Sequence, residues 1–288
     1  MKKILALVMA LTMIFALCAC GSSSTTEDNP YNLVQSGKLL VALSPDFAPM
    51  EFVDTSKSGQ DQYVGFDPSL AAYIAEEMGL ELVIKPMSFD ACQAAVQSSN
   101  VDMSISGFSW TESRAENFLL SDYYYAGDNE TEQAIIVLKE KENTFSSAED
   151  FAGLTVGAQV ASLQYDLCTS QLPESTIIEV YTDIGTAVEA LRNGKIDALA
   201  VAKGNGDAII ANNDAVAFSG FLFEVSAEAE NNVILLNKNN EALLEKVNEI
   251  LAKAYAAGYY GEWYDEAEAL AGIDTASEVS YDDDGNVA

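Results

Sequence analysis

The sequence contains no histidine, and its only arginines are Arg114 and Arg192. Without histidine, the chain cannot carry a Ser-His-Asp or Cys-His catalytic group, nor a zinc site with an imidazole ligand. Basic residues are also scarce, because 14 lysines and arginines stand against 45 aspartates and glutamates in 288 residues, for a formal net charge of −31. Nucleic-acid binding needs a cationic surface against phosphate, so this charge balance excludes it.

The first residues have the features of an export signal. Lys2 and Lys3 form a short basic region, and residues 4–17 form a run of 14 uncharged residues that are all apolar except Thr12. That run is too short to span a bilayer as a helix, which takes about 20 residues. We therefore expect a signal peptide over residues 1–19 and not a transmembrane helix.

Cys20 follows the small Ala19 and resembles the cysteine that is lipidated in bacterial lipoproteins, whereas Cys18 follows the bulky Leu17. An ordinary cleaved signal without lipid is the alternative. Ser and Thr are frequent after Cys20, so residues 20–35 are expected to be a lipidated cysteine and a flexible tether. A single acylated cysteine anchors a protein without spanning the membrane, which predicts a location on the extracytoplasmic face of the cell membrane.

The other two cysteines, Cys92 and Cys168, lie in different halves of the chain and lack the spacing of metal ligands. We interpret both as buried apolar thiols, and we expect neither a metal site nor a cofactor. At the other end of the chain, residues 273–288 are acidic and poor in apolar residues, which is typical of a disordered tail.

Strand and helix signals alternate in the first half of the chain. The apolar run 38–43 suits a buried strand, and a helix is expected to follow with Asp67 as its N-cap, Pro68 as its first residue and Gly79 at its end. The next strand, helix and strand are expected at residues 80–84, 89–97 and 101–106. Such alternation predicts a parallel sheet of the α/β class.

A weak internal repeat extends this pattern to the second half of the chain. Val101 and Asp102 open one apolar segment, and Ile196 and Asp197 open another after an offset of 95 residues. Two lobes with the same α/β topology would explain the repeat. Chance similarity of two strand–helix units is the alternative.

Arg114 stands where an anion site is expected. It follows a predicted strand end that is rich in hydroxyl residues, and Thr111 is suited to cap the helix whose first turn contains Arg114. A cation there opposes the helix dipole, which favours carboxylates at this end. Hydroxyls, free N–H groups and a guanidinium suit one bound carboxylate. The alternative is a surface arginine paired with Glu116 or Asp122.

Several motifs, in matching order and spacing over residues 36–272, resemble the family 3 bacterial solute-binding proteins, the extracytoplasmic receptors of polar amino-acid ABC importers. The resemblance implies an α/β, two-lobed periplasmic-binding-protein-like fold of type II, each lobe a mostly parallel sheet flanked by helices, joined by two hinge strands. The motifs are Gly65-Phe66-Asp67, Phe89-Asp90, Val101-Asp102, Ser109-Trp110-Thr111-Glu112-Ser113-Arg114 and Leu120-Ser121-Asp122-Tyr123-Tyr124.

The resemblance also implies the boundaries of the lobes. Lobe 1 is expected over residues 36–127 and 232–272, and lobe 2 over residues 128–231. The two crossings between them are expected near residues 127–132 and 226–231.

The resemblance assigns ligand contacts to named residues of the first lobe. Arg114 corresponds to the arginine that holds the ligand α-carboxylate, and Ser109 to a hydroxyl and backbone contact with the same group. Ser106 and Gly107 correspond to the strand end whose backbone carbonyl accepts a hydrogen bond from the ligand α-ammonium.

Two aromatic residues and one loop complete the expected site. Phe47 and Phe89 correspond to rings on either side of the ligand side chain, with membership of the core as the alternative for each. From the second lobe, Ser162 corresponds to a hydroxyl and amide at a helix N-terminus that also contact the carboxylate. Ala161 replaces the usual glycine of that loop.

The sequence departs from the family at Ala202, where amino-acid-binding members usually carry an aspartate that pairs with the ligand ammonium. An unpaired ammonium in a closed cleft is costly. Two alternatives stay open. Another acceptor serves, with Asn205 and Asp207 as candidates, or the ligand has no free α-ammonium.

Together these features predict a monomeric substrate-binding lipoprotein of an ABC importer. It would capture an amino acid or related small carboxylate by hinge closure and deliver it to a membrane permease and ATPase complex. The alternative is a ligand-sensing or adhesin lipoprotein with the same fold and no transport role. We expect no enzyme, because the dehydration that related folds occasionally support needs a positioned acid, and Ala202 cannot supply a proton.

Overall fold

A computed structural model describes residues 30–125 and 132–272. The predicted signal peptide, Cys20, most of the tether, the first hinge crossing except Glu132, and the acidic tail lie outside these residues. Within them, no helix is long and apolar enough to cross a membrane.

The first lobe is built on a five-stranded sheet with the order β5-β1-β6-β13-β7. Its central strand β1 is apolar along most of its length because both faces of the sheet are covered. The strands are β1 (Lys38–Leu43), β5 (Glu81–Pro86), β6 (Met103–Ser104), β7 (Leu119–Leu120) and β13 (Leu235–Leu236).

Five helices and a small antiparallel sheet complete this lobe. The helices are α1 (Phe66–Met78), α2 (Phe89–Gln97), α3 (Glu112–Asn117), α7 (Glu241–Ala256) and α8 (Tyr259–Ala271). The small sheet consists of β2 (Asp46–Phe47), β3 (Glu51–Val53) and β4 (Tyr63–Val64), and a short 3-10 helix (Gly59–Gln62) precedes β4.

The second lobe has its own five-stranded sheet, with the order β10-β9-β11-β8-β12. Its strands are β8 (Gln133–Leu138), β9 (Thr155–Gln159), β10 (Ile177–Tyr181), β11 (Ala198–Ala202) and β12 (Val216–Leu222). Its helices are α4 (Leu163–Gln171), α5 (Ile184–Arg192), α6 (Lys203–Ala211) and two short 3-10 helices at Lys139–Lys141 and Ala148–Phe151.

The two sheets have the same pattern of strand directions, and this confirms the prediction of two similar lobes. Each contains two parallel pairs and two antiparallel pairs in the same positions, so four of its five strands run in one direction, and the sheets are mostly parallel as expected. The antiparallel pairs arise where β13 and β8 run against their neighbours. The chain enters these strands from the other lobe and not through a crossover helix.

The repeated aspartates have the same structural role in each lobe. The Asp102 carboxylate accepts a hydrogen bond from Leu40 N at 2.7 Å, and the Asp197 carboxylate accepts one from Thr155 N at 3.0 Å. In both cases the donor belongs to the first strand of its lobe's parallel group. The internal repeat therefore preserves a side chain that binds an otherwise unpaired strand amide.

Helix α1 differs from the sequence expectation at its start. Its N-cap is Gly65 and not Asp67, which is the second helical residue and is fully buried. The Asp67 carboxylate accepts from Gly107 N and Tyr124 Oη instead of from its own helix. Gly79 ends the helix in the left-handed conformation, as predicted.

Both central cysteines are free thiols in the interior. Cys92 lies in the first lobe and Cys168 in the second, and both are buried. Burial raises the pKa of each thiol to about 12, so both stay protonated at neutral pH. The interpretation as apolar core residues is confirmed.

Gly65 is predicted to be essential for the turn that leads into α1. Its φ is +125°, and a Cβ there would lie 2.3 Å from the Met50 carbonyl oxygen. We expect Gly65→Ala to lower the free energy of unfolding by more than about 2 kcal/mol, because strain and a backbone clash add together. Urea denaturation measures this change.

Gly79→Ala is the matched control, since its φ is +67° with open space around a Cβ. It should lose only the smaller cost of a left-handed alanine, about 1 kcal/mol. Equal losses in the two variants would contradict the role given to the Met50 contact.

Candidate functional site

A small cavity with a volume of about 20 Å³ lies between the two lobes. Six of its nine lining residues are among the seven that the sequence predicted, and they are brought together from three separate stretches of the first lobe. The other three come from the end of β9 and the first turn of α4. The lining residues are Phe47, Phe89, Ser106, Gly107, Ser109, Arg114, Gln159, Leu163 and Gln164.

Arg114 is the only charged residue in this lining. Its side chain is buried and bridges the lobes, because Nη1 donates to Ser109 O at 2.6 Å and Nη2 donates to Ala161 O at 3.1 Å. The guanidinium carbon lies 5.5 Å from the ring centroid of Phe89 and 5.2 Å from that of Phe108. These rings fix the plane of the guanidinium and favour its positive charge.

The charge of Arg114 has no ion-pair partner among the described residues. No carboxylate there lies within 4.0 Å of its nitrogens, so the alternative of a surface pair with Glu116 or Asp122 is wrong. Burial lowers the pKa of Arg114 to about 10, and the more distant Asp166 opposes this shift. The side chain therefore stays protonated at neutral pH, a buried cation that an anion entering the cavity would stabilise.

Local structure sets the position of Arg114. Thr111 is the N-cap of α3, as predicted, and its Oγ1 accepts from Arg114 N at 3.2 Å. Ser109 forms an isolated antiparallel bridge with Asn232, which lies beside the second crossing. The helix start and the crossing thus hold the arginine backbone from two sides.

Ser106 and Gly107 follow β6 at the cavity wall. The Ser106 hydroxyl accepts from Ser44 N at 2.9 Å, so its orientation is fixed from the neighbouring strand. Gly107 has a φ of +54°, and a Cβ there would lie 2.8 Å from the Phe47 ring. Only glycine allows that ring to approach the backbone so closely.

The two predicted aromatic residues differ in their surroundings. Phe89 is buried and stacks on Phe108, with ring centroids 4.6 Å apart, so it lines the cavity and also belongs to the core. Phe47 is half-buried and packs against the hydrophobic clusters of both lobes. Membership of the core is therefore confirmed for Phe89, and its contact with a ligand side chain stays a prediction.

Ser162 lies outside the cavity lining. It is the N-cap of α4, and its hydroxyl accepts from Tyr165 N at 3.1 Å and donates to Gln159 O at 2.7 Å. Its predicted contact with a carboxylate stays a prediction. The preceding Ala161 has a φ of +59°, a left-handed conformation that explains why glycine is usual there.

The Ala161 carbonyl and the Asp46 carboxylate connect the lobes. Ala161 O accepts from Gln93 Nε2 at 3.3 Å in addition to Arg114. Asp46 Oδ2 accepts from Gln159 Nε2 at 3.1 Å and from Ile184 N, the first amide of α5, at 2.9 Å. These bonds all cross from one lobe to the other, so the described structure is a closed form.

The two candidate replacements for the missing aspartate do not line the cavity. Ala202 is buried at the end of β11. Asn205 donates from Nδ2 to Ala48 O at 3.0 Å, and Asp207 forms an ion pair with Lys203 at 2.7 Å. The lining therefore contains a cation and no carboxylate. Elsewhere in residues 30–125 and 132–272, no cluster of three or more His, Cys, Asp or Glu residues could hold a metal ion.

Sequence reasoning missed Gln159, Leu163, Gln164 and Asp46. Gln159 lies within the loop 157–162 to which Ser162 belongs, and Leu163 and Gln164 follow that loop directly, so their position at a strand end and helix start was the available signal. Asp46 precedes the predicted Phe47, but its partner Ile184 is 138 residues away. Nothing in a single sequence indicates that pairing.

Two lobes of like topology, closed over a cavity with one buried cation, define a protein that binds a small solute in its interlobe cleft. The family model of the bacterial extracellular solute-binding proteins, family 3, matches residues 39–267, and the chain belongs to this family. The resemblance found in the sequence and the two-lobed fold are thereby confirmed.

Named relatives extend over most of the chain. It is 30% identical to the arginine-binding extracellular protein ArtP of Bacillus subtilis, over 87% of this chain and 92% of that protein. It is also 30% identical to a probable histidine-binding protein of Campylobacter jejuni, over 88% and 99%. Among solved structures, the amino acid ABC transporter substrate-binding protein AbpA of Streptococcus pneumoniae, bound to L-arginine, is similar with a TM-score of 0.75 and 32% identity, over 83% and 97%.

Asp46 is predicted to protect the first amide of α5 in the closed form. We expect Asp46→Ala to speed hydrogen exchange at Ile184 N by about tenfold or more, because a hydrogen bond to a charged group contributes about 1.5–3 kcal/mol. Exchange measured by NMR checks this. Asp54→Ala is the control, because the Asp54 carboxylate bonds Ser56 within its own loop. Unchanged exchange at Ile184 in Asp46→Ala would contradict the interlobe bond.

Proposed function

We propose that this protein is the substrate-binding component of an ABC importer and that its ligand is an amino acid or a related small carboxylate. The observation that carries the proposal is the buried Arg114 guanidinium, which faces the cavity without an ion-pair partner among the described residues. A bidentate bond to a carboxylate would satisfy its charge and its planar geometry. No covalent chemistry is required of the protein.

The named relatives support transport more than sensing or adhesion. Their names specify binding of arginine, histidine or cystine, and the similar structure from Streptococcus pneumoniae is named as an amino acid ABC transporter protein. A membrane permease and ATPase complex is accordingly the proposed partner. The protein itself would act as a monomer that closes around one ligand.

The cavity suggests how the ligand amine would be received. A carboxylate at position 202 would have been the usual partner, but the lining provides only neutral acceptors, such as the Ser106 carbonyl and the side-chain amides of Gln159 and Gln164. An ammonium bound to neutral acceptors gains less than one paired with a carboxylate. Ligands whose amine is acylated or absent should therefore be discriminated against less than in relatives that carry the aspartate.

Binding would proceed by closure of the two lobes. Most of the lining belongs to the first lobe, so the ligand would bind there first. Gln159 and the start of α4 would then cover it, and the Ala161 carbonyl would contact Arg114 from the other side. The ligand shifts the equilibrium towards the closed state by its extra contacts in that state.

A thermal-shift screen tests the ligand class. The panel should contain free amino acids, their N-acetyl derivatives, simple carboxylates and amino-acid carboxamides. We expect only compounds with a free carboxylate to raise the melting temperature, since a ligand at one hundred times its Kd adds about 2.7 kcal/mol to the stability. Stabilisation by a carboxamide equal to that by its parent acid would contradict a carboxylate site.

Arg114→Ala provides the decisive variant for any compound found in this screen. It should weaken binding by about 2–5 kcal/mol, because truncation leaves the ligand anion buried and unpaired. Isothermal calorimetry measures the loss. Arg192→Ala is the control, since Arg192 is exposed and pairs with Glu189 at the end of α5. Equal affinities in a folded Arg114→Ala protein would exclude this arginine as the carboxylate contact.

We further propose that Cys20 carries a lipid and anchors the protein to the extracytoplasmic face of the cell membrane. The support is the sequence of the first 20 residues, which lies outside the described structure. A ligand-binding protein on a tether would stay close to its permease and raise the local concentration of captured solute.

Membrane fractionation of cells that produce the full-length chain tests the anchor. We expect Cys20→Ala to move the protein to the soluble extracytoplasmic fraction, because acylation supplies its membrane affinity. Cys18→Ala should leave it in the membrane fraction. Membrane association of Cys20→Ala would show that another residue or segment is the anchor.

A further inference from the structure

Two acidic side chains lie buried directly behind the cavity wall, outside the lining itself. Glu51 belongs to β3 and Asp67 to α1, and both have 0% exposure. Each binds one of the two residues at the end of β6 that line the cavity. The Ser106 hydroxyl donates a hydrogen bond to Glu51 Oε1, and Gly107 N donates to Asp67 Oδ2 at 2.8 Å.

The two carboxyl groups have unequal sets of donors. Both Asp67 oxygens accept from the Tyr124 hydroxyl, at 3.0 and 3.1 Å, in addition to the Gly107 bond. Glu51 has one donor, Ser106, and no N–H or O–H group of the described residues reaches its Oε2. Glu51 Oε2 is therefore a fully buried oxygen without a donor, and the charge of the neighbouring Asp67 acts on Glu51.

Two ionised carboxylates that are both fully buried and act on each other would repel strongly, and a proton on one of them removes that repulsion and allows a hydrogen bond between them. The asymmetry of donors decides which group holds the proton. Asp67 is stabilised as an anion by two donors, whereas Glu51 Oε2 is satisfied only if it carries the proton and donates it to Asp67.

We propose that Glu51 is protonated in the folded protein, and that this one-proton pair with Asp67 acts as a positioning element for Ser106 and Gly107 at the ligand cavity. The positioning role rests on the proposed ligand-binding function of the cavity. The proton itself does not depend on that function. Neither residue contacts the cavity directly, and both act through the end of β6.

The surroundings are consistent with a retained proton. Burial raises the pKa of Glu51 well above its ordinary value, and the neighbouring charges of Asp67 and Asp46 raise it further. Burial also raises the pKa of Asp67 and of Tyr124. No lysine or arginine of the described residues forms an ion pair with either carboxyl group, so no cation offsets a second negative charge.

Ionisation of Glu51 would disturb the cavity wall. Repulsion between two anions would separate β3 from the first turn of α1, and Ser106 and Gly107 are attached to opposite members of the pair. A single shared proton preserves both hydrogen bonds, from Ser106 to Glu51 and from Gly107 to Asp67. The protonation of the pair thereby determines the position of the residues after β6 that line the cavity.

Amide substitutions test which group holds the proton. In Glu51→Gln the amide N–H replaces the donated proton and the amide oxygen still accepts from Ser106, so we expect near-normal stability. In Asp67→Asn the amide group cannot accept from Gly107, Tyr124 and Glu51 together. We expect the backbone amide NMR signals of Ser106 and Gly107 to shift in Asp67→Asn. In Glu51→Gln the same signals should stay at their wild-type chemical shifts.

The dependence of stability on pH provides a second readout that needs no ligand. The pKa of Glu51 is higher in the folded state than its ordinary value of about 4.5. Protonated Glu51 therefore contributes its full stability below about pH 4.5, and this stability is lost as the pH rises towards the folded pKa. For one proton the folding constant falls about tenfold per pH unit in that window. The stability of the wild type should fall in this window, and in Glu51→Gln the fall should be smaller by the contribution of one proton. Glu268, whose pKa burial raises to about 7, contributes equally to both proteins.

Affinity for L-arginine, as the probe, tests the positioning role. At pH 7, Glu51→Gln should bind within a few-fold of wild type, and Asp67→Asn at least about tenfold more weakly, the effect of losing hydrogen bonds to a charged group. If the wild type does not bind L-arginine, L-arginine is excluded as the ligand. The amide signals of Ser106 and Gly107 still test how the carboxyl pair positions the residues after β6. Identical pH profiles of wild type and Glu51→Gln, or greater damage in Glu51→Gln than in Asp67→Asn, would overturn the proposal.

Discussion

The arrangement of the cavity depends on one buried positive charge without an anion of its own. Arg114 is held by a helix cap, by two backbone carbonyls and beside two stacked aromatic rings, and each contact fixes its position without neutralising it. Desolvation of a cation is unfavourable, and a protein keeps such a group only where another interaction compensates. Under the proposed function a ligand anion would supply the missing interaction, and the lobes would close around it.

A second constraint acts from behind the same wall. Ser106 and Gly107 end a strand of only two residues, too short to be rigid by its own ladder. Their positions come instead from Ser44, from the ring of Phe47 and from the buried carboxyl groups of the small sheet and α1. The ligand surface of the first lobe is therefore shaped by interior polar groups, whereas the second lobe contributes a strand end and a helix start.

Much of the fold was predictable because its signals are local. Residues 89–97 form the expected helix, Thr111 caps the helix of Arg114, and the repeated aspartates at positions 102 and 197 mark the same place in each lobe. The start of α1 was not predictable in the same way. Asp67 fits an N-cap by position, but Tyr124 and Gly107, far away in the sequence, take its carboxylate into the core.

The site residues, too, were predictable where the signal is local and were missed where it depends on distant partners. Six first-lobe residues were identified because the resemblance places them in continuous motifs. Asp46, whose partners lie more than 100 residues away, and the Glu51–Asp67 pair were missed, since only the folded chain brings their partners together. Ser162 was expected to point at the ligand, yet its hydroxyl is used within its own helix start.

The absence of carboxylates from the cavity lining also has a consequence for the speed of capture. Among the described residues only four acidic side chains are buried, Glu51, Asp67, Asp102 and Glu268, and the whole chain has a formal net charge of −31, so the field around the protein is negative. Such a field repels an anion at a distance and slows its diffusion to the cleft, and dissolved salt weakens that repulsion. A zwitterion carries no net charge and escapes this barrier, and a cationic amino acid is drawn in. The surface charge would thus favour solutes by their net charge before they reach the cavity.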